Sequence, residues 1–221
     1  MATKSVLILL LVVVATTFAQ KKCCYPSQFE GSFGSLVATV TGGQGMTQSE
    51  GWQYAYDYTN GRMATINYRE SQGQMIKYQD IYLYSKGVAY IVEIGPGFTI
   101  CQQISINGTL PHCIPSSATY LGSSYYGDHK LNVDFFKFFE SMSSSTYANI
   151  TMTVSQGDCI PFSVVEEGMF DGVPKLRIRG YVNYTSGISD PSKYFTVPSG
   201  CPPSNRETLN MRKSPFDKIL P

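Results

Sequence analysis

The chain has 221 residues, of which 13% are aromatic and only 15% are charged, and its formal net charge is +1 at pH 7. With 17 basic and 16 acidic residues, it lacks the positive excess that binds nucleic acids or strongly anionic membranes. These values exclude a nucleic-acid partner, and the length suits one domain with a sizeable core.

Residues 1–19 are predicted to form a cleaved secretory signal peptide. Lys4 gives a positive start, residues 6–15 an apolar run, and Thr17-Phe18-Ala19 a small-residue cleavage site. The alternative, a membrane anchor, needs about twenty apolar residues, and no later stretch reaches that length. Cleavage would remove Lys4 and leave 16 basic and 16 acidic residues, a net charge of zero. The predicted location is therefore extracellular, with a lysosome-like compartment as the alternative, and no membrane span is expected.

Residues 20–201 are predicted to form one all-β domain. Segments rich in Val, Ile, Tyr, Phe and Thr alternate with clusters of Gly, Asn, Asp and Ser, and the turns Thr59-Asn60-Gly61 and Ser85-Lys86-Gly87 favour tight hairpins. Residues 202–221 are polar and contain several prolines, so they are predicted to be a flexible C-terminal tail. The predicted strands are Ser32–Val40, Gln53–Tyr58, Arg62–Arg69, Asp80–Ser85, Val88–Ile94, Thr99–Ile104, Asn149–Ser155, Cys159–Glu166 and Lys175–Thr185.

The segment Val133–Met142 is the best helix candidate. Its apolar residues recur at helical spacing, between Asp134 and a serine-rich run. The sequence therefore predicts one short helix in an otherwise β-rich domain.

Three Asn-x-Ser/Thr sequons, at Asn107, Asn149 and Asn183, are predicted glycan sites because they follow a signal peptide. They also predict which way two strands face, since side chains alternate along a strand. With Asn149 outside, Thr151 and Thr153 should lie outside and Ile150, Met152 and Val154 inside. With Asn183 outside, the outer set should be Lys175, Arg177, Arg179 and Tyr181, and the inner set Leu176, Ile178, Gly180, Val182 and Tyr184.

Motifs for catalysis are lacking. No nucleophile elbow, metalloprotease motif, P-loop or dinucleotide fingerprint occurs in the sequence. His112 and His129 are interpreted as loop residues rather than as catalytic groups. The prediction is that the protein is not an enzyme.

The sequence gives only weak support for a calcium-binding site. Glu166-Glu167, Asp171-Gly172, Asp57 and Asp190 supply carboxylates near turns, but none has the EF-hand spacing, so solvated turns are the favoured interpretation.

Six cysteines behind a signal peptide predict a disulfide framework, because metal-binding spacings are missing. Cys23 and Cys24 are adjacent, and a bridge between them would be strained. Their side chains point to opposite faces of an extended segment, so each should have a different partner.

Several motifs in order resemble the ependymin family and its ependymin-related members. The chain opens with Cys-x-x-Pro-x-x-aromatic-Glu-Gly at residues 23–31 and closes with Asp-Pro-Ser…Pro-Ser-x-Cys at residues 190–201. Between them lie Asp80-Ile81-Tyr82-Leu83-Tyr84, Cys101 and Asp158-Cys159-Ile160-Pro161. The similarity covers residues 23–201.

This resemblance implies specific bridges and a specific fold. The family pattern implies Cys23–Cys159 and Cys101–Cys201, which leaves Cys24–Cys113 by elimination. It further implies a lipocalin-like half-barrel or sandwich of two stacked, curved antiparallel sheets around a hydrophobic pocket, which often forms a homodimer, and it raises calcium as a ligand.

Several predicted strands have apolar residues on both faces, which indicates a second buried surface beyond the core. The alternative is that these residues only fill the core. The expected function is a secreted glycoprotein that binds a fatty acid or another lipid between two sheets. The alternative is a calcium-binding extracellular glycoprotein that acts in cell–matrix adhesion, with the matrix as partner. The predicted pocket residues are Tyr82, Tyr84, Tyr90, Val92, Ile178 and Val182.

Overall fold

The computed structural model describes residues 23–201, so the predicted signal peptide and the predicted tail lie outside the described residues. Within this range the chain forms eleven strands, one short α-helix, α1 (Pro191–Phe195), and a 3₁₀ turn at Tyr84–Lys86. No helix in the described part of the chain has the length and hydropathy needed to cross a membrane. The strands are β1 (Gln28–Thr41), β2 (Gln44–Asp57), β3 (Arg62–Ser71), β4 (Gln74–Leu83), β5 (Val88–Gly95), β6 (Phe98–Ser105), β7 (Thr119–Tyr126), β8 (Leu131–Ser143), β9 (Thr146–Ser155), β10 (Pro161–Phe170) and β11 (Val173–Ser186).

All eleven strands belong to one antiparallel sheet, in the order β6-β5-β4-β3-β2-β1-β11-β10-β9-β8-β7. The first and last strands of the chain pair at its centre, so the sheet consists of one half built from β1–β6 and one half built from β7–β11. Within each half, neighbouring strands are joined by short turns, as expected for antiparallel hairpins.

The sheet curves until its two halves share one core. Met63 and Tyr82 of the first half belong to the same buried cluster as Phe136 and Ile150 of the second, although many strands separate them in the sheet order. Such a cluster requires that one face of the sheet be concave. The predicted fold class, an all-β, disulfide-bonded, lipocalin-like half-barrel, is therefore confirmed, with the two expected sheets present as halves of one hydrogen-bonded sheet.

The nine predicted strands are present, but the predicted helix is wrong. Val133–Met142 lies in β8, which pairs with β7 and β9. Phe136 and Phe138 are buried, whereas Lys137 and Phe139 are exposed, which is an alternation of period two. Closely spaced phenylalanines fit either period, and pairing with two flanking strands selects the extended form.

The predicted facing of β11 is also wrong. Arg179 and Tyr181 are buried, whereas Leu176, Ile178 and Val182 are exposed. The cause is a β-bulge: the one residue of β1 between Glu30 and Ser32 lies opposite two residues of β11, those between Val182 and Thr185. Asn183 occupies the bulge at φ 54°, which breaks the alternation between the sequon and the rest of the strand.

The facing of β9 is partly confirmed. Ile150, Met152 and Val154 are buried as predicted and Asn149 is exposed, but Thr153 is buried and Thr151 is half-buried.

The outer face of the first half carries a second, smaller core. Ala64, Ile66 and Ile81 form it together with Tyr194 and Phe195 of α1. The Gln79 carboxamide donates to the Tyr194 carbonyl over 2.7 Å, and the Arg62 guanidinium lies 4.1 Å from the Phe195 ring centre. The C-terminal segment thus covers strands that are apolar on both faces, which accounts for that pattern in the sequence.

Candidate functional site

Three disulfides hold the domain together. They join Cys23 to Cys159, Cys24 to Cys113 and Cys101 to Cys201. These are the pairs that the family resemblance and elimination gave. The first two tie the start of the described chain to the turn between β9 and β10 and to the loop between β6 and β7.

The six predicted pocket residues do not line one cavity, so this part of the prediction is wrong. Tyr82 and Tyr84 are buried in the core of the concave face, whereas Tyr90 packs against the outer core beneath α1. Val92 is buried, and Ile178 and Val182 are exposed on the outer face. The facing of Ile178 and Val182 was predicted wrongly because of the β11 bulge. Tyr90 points away from Tyr82 because its register partner is Ile81.

A groove lies instead where β2 and β3 separate. The two strands pair only from Gln53 to Asp57, opposite Ile66 to Arg62. Beyond this point side chains bridge them: the Asn67 carboxamide donates to the Gly51 carbonyl, and Arg69 forms an ion pair with Glu50 at 2.6 Å. The divergence opens a space of about 410 Å³. This glycine groove is lined by Ser32, Phe33, Gly34, Gly51, Trp52, Gln53, Ile66, Asn67, Tyr68 and Val182.

A row of three glycines crosses the sheet at this groove. Gly34 of β1 is the register partner of Gly51 in β2 and of Gly180 in β11. A Cβ atom added at any of the three would have no heavy atom within 4 Å. The groove therefore has a floor of bare backbone, which a ligand can approach closely.

An apolar stripe continues from the groove along the same face. It consists of Leu36, Leu176, Ile178 and Val182, which are 45%, 37%, 39% and 55% exposed. The register places Leu36 opposite Ile178 without interruption by a bulge. Clustered exposed aliphatic residues typically mark an interaction surface.

Two features give the glycine groove a polar contact and an optical probe. The Oε1 atom of Gln53 is buried without a hydrogen-bond partner among the described residues. Trp52, the only tryptophan of the chain, stacks on Phe33, with ring centres 6.3 Å apart, on the other face of the same strands. Sequence reasoning missed this site, because Gly34 and Gly51, which line it, and Gly180, which continues the row, come from three different strands.

A buried ion cluster lies on the concave face. Arg179 and Arg177 approach the two carboxylate oxygens of Glu166 at 2.9 and 3.4 Å, and Glu166 and Arg179 are almost fully buried. Burial, and secondarily the nearby Glu166 carboxylate, raise the pKa of Glu140 to about 7. The concave face thus combines an aromatic core with a charged region.

This shift predicts a pH-dependent contribution to stability. Because the pKa of Glu140 in the folded state lies above its ordinary value of 4.5, folding favours the protonated form, and stability should fall as pH rises from about 4.5 to about 7. Glu140→Gln should leave the free energy of unfolding unchanged at pH 4 and raise it at pH 8, as measured by urea denaturation. Equal free energies of unfolding for both proteins at pH 8 would contradict the prediction.

The three predicted glycan sites have exposed asparagines. Asn107 lies in the loop after β6, Asn149 in β9 and Asn183 in the bulge of β11. Their glycosylation stays a prediction.

Among the predicted calcium ligands, the side chains of Asp57, Glu166, Asp171 and Asp190 have protein partners. Asp57 accepts hydrogen bonds from Gln28, Asn60 and Arg62; burial alone would raise its pKa, but these bonds outweigh burial and lower it. Asp190 caps α1. Among residues 23–201 no cluster of three or more His, Cys, Asp or Glu side chains could hold a metal ion. Calcium binding stays a prediction from the family resemblance.

Comparison with known proteins identifies the family. The Ependymin family model matches residues 72–201. Ependymin-related protein 1 of Haliotis asinina is 25% identical over 189 residues, which cover 81% of this chain and 90% of that protein. Ependymin-related protein 2 of the same organism is 27% identical over 187 residues, with coverage of 81% and 89%. The chain belongs to the ependymin family, and this membership fits an extracellular protein with disulfides.

The similarity of this chain to solved structures is weaker than its similarity to the ependymin-related proteins. A LolA superfamily protein from Nitrosomonas europaea covers 79% of this chain and 93% of its own at 11% identity, with a TM-score of 0.34. A DUF1329 family protein from Desulfovibrio piger covers 77% and 90%, also at 11% identity, with a TM-score of 0.29. These scores are too low to transfer a function.

Proposed function

We propose that the protein is an extracellular, non-catalytic binding protein that holds a fatty acid or another lipid in the glycine groove and along the apolar stripe. The observation that carries this proposal is the row of Gly34, Gly51 and Gly180, which leaves an open floor beside exposed aliphatic side chains. The proposed site lies on the outer face of the sheet and not between its halves.

The driving force would be burial of apolar surface from both partners. Each buried CH₂ group contributes about 0.8 kcal/mol, so affinity should rise with acyl chain length until the site is filled. The Gln53 carboxamide could pair with the polar end of the ligand, because its oxygen is buried without a partner in the described chain. Since the chain is nearly neutral, binding should depend only weakly on salt.

Titration with fatty acids and lysophospholipids of increasing chain length tests the proposal. Trp52 is the reporter, because it is one of the residues that line the groove and its ring stacks on Phe33, which also lines it. The expected result is a fluorescence change whose midpoint falls with each added CH₂ group. A response of equal midpoint at all chain lengths, in folded protein, would favour the calcium-dependent matrix glycoprotein instead.

A variant that fills the groove gives a sharper test. Gly34→Val should weaken lipid binding at least tenfold, because its side chain would occupy the floor, where an added Cβ atom has no heavy atom within 4 Å. It should leave stability equal or higher, since valine suits strands better than glycine by up to about 1 kcal/mol. The matched control is Gly45→Val, which lies on the same face of β2 outside the groove and also has open space. Equal binding by both variants would contradict the proposed site.

A further inference from the structure

A second groove lies at one end of the half of the sheet that is built from β7–β11. It has a volume of about 350 Å³ and lies between the start of β8, the turn from β9 to β10, and the end of β11. We call it the turn groove. Six of its lining residues carry the argument: Lys130, Asn132, Gln156, Asp158, Phe162 and Tyr184. None of them lines the glycine groove.

The walls of the turn groove are held rigidly. The Gln156 amide donates to the Asn132 carbonyl over 2.9 Å, which ties the turn to β8. Within the turn, the Ser155 amide donates to the Ile160 carbonyl over 2.8 Å, and the Ile160 amide donates to the Ser155 hydroxyl over 2.9 Å. The Cys23–Cys159 disulfide fixes the same turn to the start of the domain. A ligand would therefore meet a site that needs little ordering.

The lining combines two aromatic rings with groups that both donate and accept hydrogen bonds. Phe162 stacks on Tyr126 with ring centres 6.1 Å apart, and Phe162 and Tyr184 are both half-buried. The side chains of Asn132 and Gln156 are exposed. Gln156 donates from Nε2 to the Ser123 hydroxyl over 3.3 Å, which orients the carboxamide and leaves Oε1 as an acceptor.

Charge and polarity define the ligand class. Lys130 and Asp158 balance each other, so the site favours neither an anion nor a cation. An acyl chain would remove water from the amides and the carboxylate, and it has no polar groups that could replace the hydrogen bonds these groups make with water. A sugar ring suits the site better, because its faces present CH groups to aromatic rings and its edge presents hydroxyls to amide and carboxylate groups. We infer that the turn groove binds a neutral saccharide.

Titration of the isotope-labelled full-length protein with maltose and with lactose, monitored by NMR, tests this inference. Thr185→Ala is included because it removes the Asn183 sequon beside Tyr184 and keeps a glycan of the chain's own from competing. The expected result is a saturable shift of the Asn132 and Gln156 side-chain amides and of the Phe162 and Tyr184 ring signals with at least one sugar.

Substitutions of the lining residues distinguish a specific binding site from nonspecific association. Asn132→Ala and Gln156→Ala should each weaken binding about fivefold through loss of one hydrogen bond. Phe162→Leu should weaken it by a similar factor, because leucine keeps apolar volume but lacks the flat ring. Gln74→Ala removes an exposed carboxamide from β4 and should change nothing. The inference is overturned if neither sugar shifts these signals up to its solubility limit, or if palmitate shifts them and the sugars do not. Lipid binding at the glycine groove would be unaffected by either outcome.

Discussion

Replacing Cys101 and Cys201 together by serine should lower the melting temperature by roughly 10–20 °C. The bridge spans 100 residues, and the chain-entropy model assigns about 4–5 kcal/mol to a loop of that size. A loss of 1 kcal/mol lowers the melting temperature of a domain this long by about 2–4 °C. The bridge also ties the end of the segment that carries α1 to edge strand β6, so its loss should loosen the outer core.

Scanning calorimetry of the double variant measures this effect. Asp190→Ala is the control, because it removes the N-cap contacts to the amides of Ser192 and Lys193 and leaves the bridge intact. Loss of such a cap costs about 1 kcal/mol, so this variant should melt only a few degrees lower. An unchanged melting temperature in the double variant, or a peptide map that joins Cys101 to Cys113, would refute the assigned role.

Arg179→Met should destabilise the protein by about 3–5 kcal/mol, because it leaves the buried Glu166 carboxylate without its closest cation. Arg177 stays near Glu166 but is farther away, at 3.4 Å, and more exposed. Replacing both partners, as Glu166→Leu with Arg179→Met, should recover much of the loss, since a well-packed apolar pair avoids the desolvation cost.

Urea denaturation of the single and double variants measures the coupling. The matched control is Arg69→Met, which breaks the more exposed ion pair with Glu50 and should cost no more than about 1 kcal/mol. Equal losses for Arg179→Met and Arg69→Met would mean that burial does not set the strength of the Glu166 pair.

The β-strands could be predicted from the sequence because local signals agreed with the sheet. In β4 and β5, runs of Ile, Tyr and Val are separated by Ser85-Lys86-Gly87, and the structure has a 3₁₀ turn there that ends at Gly87 with φ 65°. β7 was missed because Thr119–Tyr126 contains Gly122 and two serines and is mostly exposed, so it lacks a buried face that would give a pattern.

The facing of β11 and the position of the groove could not be predicted in the same way. One extra residue at Asn183 reverses the facing of every residue before it, and a bulge leaves no periodic signal in the sequence. The glycine row depends on the register of the β1–β2 hairpin and on its pairing with β11, which lies at the other end of the domain in sequence. Gly34, Gly51 and Gly180 look like isolated strand glycines until long-range pairing brings them together.

The disulfides have a consequence for how this protein responds to proteases. The span from Cys23 to Cys159 overlaps the span from Cys101 to Cys201, so every peptide bond between Cys23 and Cys201 lies inside at least one covalent ring. A single cut at any of these bonds leaves both fragments attached, and the molecule gains only the mass of one water. Such a nicked protein would migrate as one species on a denaturing gel and separate into two pieces only after its thiols are regenerated by a reductant.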